Sequence, residues 1–171
     1  MKLEVSRLNI RLFKLDDISE KYLSWLNDTE TMALSNQRFR IHTKESCVNY
    51  LNTFAETTNE LWVIELAPGQ MIGTATTYYN SHHKVLDIGL LIGDRSFWGM
   101  GIGLEAWLIL ESIMIKKWPV RKITGGTLRE NKGMIRIFEK AGMQCEAVRK
   151  EQEIIGNETM DLLYYAKFIS K

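Results

Sequence analysis

The chain has 171 residues, 45% of them hydrophobic and 25% charged, which fits one compact domain over 1–171 and excludes a disordered or collagen-like chain. Twenty-two basic residues against 21 acidic ones leave a formal charge of +1, so no broad electropositive surface for sequence-independent nucleic-acid binding is expected. No internal repeat, linker or low-complexity segment interrupts the run.

Leu3 to Phe13 predicts a first strand, with Ile10 and Leu12 alternating against Arg11 and Phe13. Asp17 with Glu20 reads as a capping pair for a helix reaching about Asn27, whose apolar face is Ile18, Tyr22, Trp25 and Leu26. Thr43 opens a second helix with Val48, Leu51, Phe54 and Ala55 on one face, and the stretch between the two helices is expected to be irregular and open to a substrate. Leu61–Leu66 and Met71–Tyr79 around Pro68-Gly69 predict a hairpin, and His82-His83 a solvent-exposed turn rather than a metal site. Val85–Ile92 reads as a central strand buried on both faces, with Asp87 and Gly89 as its two exceptions. Gly99–Gly103 opens a long apolar helix that ends near Trp118 at Pro119. A strand over Lys122–Leu128, a helix over Asn131–Ala141 closed by Gly142, and two strands flanking Gly156-Asn157 complete the chain. Leu128, Ile135 and Ile137 are assigned to the core.

Cys47 and Cys145 lack CxxC or Cys/His ligand spacing, so neither structural zinc nor a disulfide scaffold is expected; Cys145 reads as a packing residue in a reduced cytoplasm. The longest apolar run, 107–115, contains Glu111 and falls far short of the roughly 20 residues of a membrane span. Met1-Lys2-Leu3-Glu4 begins no signal peptide. A soluble, cytoplasmic protein is expected.

Gly99, Gly101 and Gly103 before a helix leave backbone N–H groups at the positive end of the helix dipole, a place for a phosphate. The competing reading is a tight turn with close helix packing. Gly101 to Ala106 satisfies GxGxxA, but Arg121 stands where a dinucleotide fold needs an acidic residue, and no GxxxxGK[ST] element is present.

The segments DIGLLIGDRSFWGMGIGLEAWLILESIM, from Asp87, and TLRENKGMIRIFEKAGM, to Met143, closely resemble the core of the GNAT acetyltransferases. Trp98-Gly99-Met100-Gly101-Ile102-Gly103 fits the family's pyrophosphate loop, Q/R-x-x-G-x-G/A, except that tryptophan replaces the leading polar residue. Tyr22-Leu23-Ser24-Trp25-Leu26-Asn27-Asp28 looks like the branch of ribosomal-protein and amino-sugar-nucleotide N-acetyltransferases. The resemblance implies an α/β (α+β) domain with a mixed, mostly antiparallel sheet of about seven strands flanked by about four helices. It also implies acetyl-CoA as co-substrate, bound by a core over about 85–143, no metal, and a primary amine as acceptor. An amino-sugar nucleotide is the first expectation for that amine; a protein N-terminus, or a CoA-binding module without turnover, is the alternative. The partner is then a small-molecule amine, with no nucleic acid or membrane, and a homodimer is one admissible assembly.

Acyl transfer needs a neutral amine, a stabilised oxyanion and an accommodated thiolate. Asp87, a carboxylate in an apolar strand, is either the general base, as in some family members, or an aspartate bonded to a neighbouring loop. Gly89 suggests a bulge that frees the backbone N–H of Leu91 for the thioester oxygen, as the resemblance implies. The expected CoA contacts are Leu91, Gly93, Trp98, Gly99, Met100, Gly101, Ile102, Gly103, Asn131, Lys132 and Arg136, with Lys140 left on a solvated face. Asn131 either caps its helix or also reaches the pantetheine arm. Phe138 stands where many family members carry a proton-donating tyrosine, so Tyr164, Tyr165 or Tyr79 would have to supply the hydroxyl, if one is needed. Trp25, Asn27 and Tyr78 are the expected substrate contacts; Trp62 and Tyr79 are further flat surfaces, although such aromatics are usually core.

Overall fold

A computed structural model describes residues 7–169. The first strand, β1, spans Asn9–Leu12, and residues 3–6 of the expected strand lie outside the described residues. Helix α1 (Glu20–Leu26) starts later than the Asp17 pair implied, because Arg11 claims the Asp17 carboxylate at 2.7 Å and Ser19 caps instead, accepting from the Tyr22 amide at 3.2 Å. Helix α2 (Lys44–Asn52) opens at Thr43, with Thr43 and Ser46 exchanging side-chain and backbone bonds. Strands β2 (Glu60–Glu65), β3 (Met71–Asn80) and β4 (Val85–Ile92) follow, then α3 (Ile102–Lys117), β5 (Lys122–Leu128), α4 (Lys132–Lys140), β6 (Gln144–Ile155) and β7 (Glu158–Phe168).

The seven strands form one mixed sheet in the order β1-β2-β3-β4-β5-β7-β6, antiparallel throughout except between β4 and β5. The expected sheet and its four helices are therefore present. Because β4 and β5 run parallel, they need a crossover, and α3 supplies it. Their pairing covers only Val85–Asp87 against Lys122–Thr124; past Thr124 the strands part. This divergence positions the candidate site.

Helices α3 and α4 cover one face of the sheet, where Trp107, Leu110, Met114, Phe138, Leu86 and Ile88 are buried in one cluster. A second cluster, Tyr22, Trp25, Leu26, Met32, Cys47 and Val63, lies under α1 and α2. The alternation of β4 assigns Leu86 and Ile88 to the first face and Asp87, Gly89 and Leu91 to the second. Contrary to full burial on both faces, Asp87 and residues 89–92 are half-buried, because a groove runs past residues 89–92 and a smaller cavity opens beside Asp87. Leu128 is buried, whereas Ile135 and Ile137 are half-buried against the core. Cys145 is exposed rather than packed, since β6 is an edge strand exposed along nearly its whole length. Trp62 and Tyr79 are core residues: the Trp62 indole donates to Thr77 Oγ1 at 2.9 Å, and Tyr79 stacks on Trp118. His82 and His83 are exposed in their turn. Among the described residues no helix is long and apolar enough to cross a membrane, and no cluster of three His, Cys, Asp or Glu could hold a metal.

Candidate active site

The half of β4 that leaves β5 carries backbone groups with no strand beside them. The Gly93 amide donates to the Ile72 carbonyl at 3.0 Å, and bonded pairs recur every second residue in an antiparallel ladder. Leu91, opposite Thr74, therefore directs its amide to β3, which corrects the expectation that this amide is unpaired. Leu90 and Ile92 turn theirs to the gap instead. The Ile92 carbonyl faces the same way and accepts from Trp98 Nε1 at 2.7 Å, so the indole ties the glycine loop to the end of β4.

In that loop Gly99 and Gly101 adopt φ of 75° and 79°, the left-handed region that glycine enters at little cost. Gly103 has a different reason: an added Cβ would lie 2.7 Å from Ile137 Cδ1, where α3, α4 and β4 meet. Gly101 is the N-cap of α3 and brings no side-chain cap, and the Glu105 amide is the first to bond within the helix, to the Gly101 carbonyl at 3.1 Å. The amides of Ile102, Gly103 and Leu104 consequently lack intrahelical acceptors at the positive end of a 16-residue helix. Both readings of the glycines hold together: two shape the turn and one permits close packing.

A groove of about 920 Å³ runs from this loop through the gap to the α1–α2 face. Its loop end is bordered by Trp98, Gly99, Gly101, Ile102, Gly103, Asn131, Lys132, Arg136 and also Lys140, while Met100 is 54% exposed and does not line it. Gly93 is absent from the lining as well, because Trp25 packs on its Cα: an added Cβ would lie 2.2 Å from Trp25 Cδ2. Trp25 is thus buried packing rather than a substrate surface. Asn131 caps α4, accepting from the Met134 amide at 3.1 Å, and Lys132 Nζ donates to the Arg129 carbonyl at 2.8 Å.

At the other end the groove is lined by Met32, Arg40, His42, Ser46, Cys47 and Tyr50, from the stretch expected to be irregular and from α2. Asn27 does not line the groove; its amide clamps the His42 backbone, donating to the carbonyl and accepting from the N–H, both at 2.8 Å. Tyr78 is 39% exposed and its hydroxyl meets that of Tyr50 at 3.1 Å. Tyr50 escaped the sequence reading because it lies off the apolar Val48/Leu51 face of α2. Asp87 accepts from Thr124 Oγ1 at 2.7 Å, and burial pushes its carboxyl above the ordinary range despite that bond. It borders a smaller cavity of about 350 Å³ with Asn59, Tyr78 and Asn80, beside Gly89 of the groove on the same face of β4. Tyr164 lies opposite Gly126 with Arg149 over its ring, and does not line the groove. Phe138 is fully buried between Trp107 and Tyr165.

The acetyltransferase (GNAT) domain family model matches residues 7–144. An acetyltransferase of the GNAT family from Bacillus anthracis is 24% identical, with 98% of each chain covered and a TM-score of 0.79. Spermidine N-acetyltransferase from Vibrio cholerae, solved with CoA and spermine, is 17% identical over 96% of each chain with a TM-score of 0.84. Ribosomal-protein-alanine N-acetyltransferase from Brucella melitensis is 19% identical over 94% of this chain and 99% of that one, with a TM-score of 0.79. No curated protein matches the sequence.

Proposed function

This chain belongs to the acetyltransferase (GNAT) family, and from that premise we propose that it moves the acetyl group of acetyl-CoA to the primary amine of a small molecule in the cytoplasm. The observation that carries the reading is the continuous groove, which joins uncapped helix amides to a gap faced by the Leu90 and Ile92 amides, with a half-buried carboxylate, Asp87, in the adjoining cavity.

The residues fit the co-substrate. Amides at the start of α3 suit a pyrophosphate, Lys132, Arg136 and Lys140 suit a further phosphate, and the gap-facing groups of Leu90 and Ile92 suit an arm containing amides. Acetyl-CoA supplies an activated acetyl thioester. The Leu90 and Ile92 amides are oriented to stabilise charge on its oxygen, the role first expected of Leu91. Asp87 takes the proton released when the amine nitrogen bonds to the acetyl carbon, through water along the Gly89 face. Its raised proton affinity suits a base for an amine, while Thr124 keeps the ionised form accessible. Phe138 has no hydroxyl and is sealed in the core, so the thiolate departs without help from α4; of the tyrosines, Tyr22 and Tyr50 border the groove.

An amino-sugar nucleotide remains our first choice of acceptor. One observation favours the protein N-terminus instead: Phe39 and Ile41, flanking the groove residue Arg40, are 72% and 87% exposed, as a peptide-docking rim would be. Release of free thiol from acetyl-CoA, measured against a panel of amino sugars, amino acids and peptides, tests the activity. Amine-dependent thiol release with formation of an N-acetyl product is expected. Thermal stabilisation by CoA with no thiol release would reduce the protein to a binding module.

A further inference from the structure

The proposed amine-binding half of the groove has an imbalance of charge. Its lining carboxylate, Glu30, is already paired with Arg95, and the neighbouring Asp28, outside the lining, accepts from Thr31 and also faces Arg95. Two nearby cations are engaged too. Arg38 donates to the carbonyls of Ser35 and Ile154 at 2.8 and 3.1 Å and lies beside Glu153, while Lys21 pairs with Asp94.

Arg40 differs from all of these. It lines the groove, yet its guanidinium has no hydrogen-bond or ion-pair partner among the described residues. The loop that carries it is held on both sides. On one side the Arg40 amide donates to the Gln37 carbonyl at 3.0 Å; on the other, His42 is clamped through its N–H and carbonyl by the Asn27 amide. The backbone of Arg40 is thus fixed while its charged head is left for a ligand. A guanidinium presents a planar fork of donors that matches a carboxylate or a phosphate and repels an ammonium.

We propose that Arg40 selects acceptors in which the reacting amine is accompanied by an anionic group, a carboxylate or a phosphate, and rejects polyamines. The proposal rests on the acetyltransferase reading and narrows it. A polyamine would place a second ammonium in a half-groove whose lining carboxylate, Glu30, is already paired and whose unpaired lining charge, Arg40, is positive. An anionic amine instead leaves one ammonium to be neutralised near Asp87 and one anion for Arg40.

Matched acceptors test this: an amino acid against its amide, a phosphorylated amino sugar against the unphosphorylated one, and spermidine. Wild type, Arg40→Gln and Arg40→Lys are compared by kcat/KM for each acceptor and by thermal shift of the CoA-bound protein with each acceptor. The anionic member of at least one pair is expected to win by about tenfold, the size of one charge-assisted hydrogen bond. In Arg40→Gln the advantage should collapse through KM, and Arg40→Lys should keep part of it. Whichever pair shows the advantage identifies carboxylate or phosphate. Equal use of both members by the wild type, preference for spermidine, or an advantage that survives in Arg40→Gln would overturn the proposal. If no amine is acetylated, the enzymatic reading fails by itself. The thermal shifts then still decide about Arg40: an anion-dependent shift lost in Arg40→Gln supports it, and its absence refutes it.

Discussion

Asp87 is held in a conflict between burial, which favours its neutral form, and Thr124, which favours its charged one. If it accepts the proton of the attacking amine, Asp87→Asn keeps the shape and the Thr124 bond but removes the base. Turnover at neutral pH should fall by about 10²–10⁴-fold with CoA binding intact, and the deficit should shrink in alkali, where the amine is neutral without help. Near-normal turnover at pH 7 would move the role elsewhere. Stability supplies an independent check. With its proton affinity raised on folding, the native state holds the Asp87 proton more tightly than the unfolded chain. Stability contributed by this group is therefore full below the ordinary value of 3.8 and declines as pH rises through the folded value. A melting-temperature profile should lose that decline in Asp87→Asn. An aspartate in an apolar strand is visible in a sequence; that its partner is Thr124, 37 residues away across a parallel pair, is not.

At the scale of the element, the glycine loop and the start of α3 were legible because their causes are local. Turn, dipole and cap lie within a few residues of one another, as do Asn131 and Met134 at α4. The loop separates charge from strain experimentally. Nothing lies within 4 Å of a Cβ added at Gly101, so substitution there costs backbone strain of about 1 kcal/mol and no clash. Gly101→Asn and Gly101→Asp share that strain and tolerate the left-handed region comparably, but only the aspartate repels a pyrophosphate. The CoA-induced thermal shift should be largely retained in Gly101→Asn and lost in Gly101→Asp. Equal shifts in the two variants would remove the phosphate from this loop.

Across the whole molecule, a charged network fastens the first strand to the sheet. Arg11 of β1 bonds Glu65 of β2 at 2.8 Å and Asp17 at 2.7 Å, and Asn9 donates to Glu65 at 2.7 Å. Glu65 is 2% exposed, and burial, the largest single influence, pushes its carboxyl up, but the bonds from Arg11 and Asn9, the Arg11 charge and the Gly69 amide together hold it below the ordinary 4.5; Asp17, against burial, is likewise held below 3.8 by Arg11 and the Lys14 amide. Lowered values mean stability that is present above these ordinary values and lost as pH falls through the folded ones, so acid destabilisation should set in below about pH 4.5. Glu65→Gln should cost about 3 kcal/mol at pH 7, the low end for breaking a buried pair because Arg11 keeps Asp17, and should flatten the acid limb. A loss under 1 kcal/mol by urea unfolding would show the network to be ornamental.

The residues alone determined the order of strands and helices, the helix caps at Thr43 and Asn131, the glycine loop and the polar exception at Asp87, because each arises from side-chain periodicity or chemistry within a turn or two. Only the tertiary structure decided which backbone amides of β4 are free. Periodicity tells which face a side chain takes, but the direction of an N–H depends on which strand lies beside it and where the pairing stops, and that neighbour, β5, comes 30 residues later. For the same reason Trp25 was taken from the substrate and given to Gly93, Asn27 to His42, and Arg40 was left unpaired: each outcome depends on a partner distant in sequence or on the absence of one, which no local pattern records.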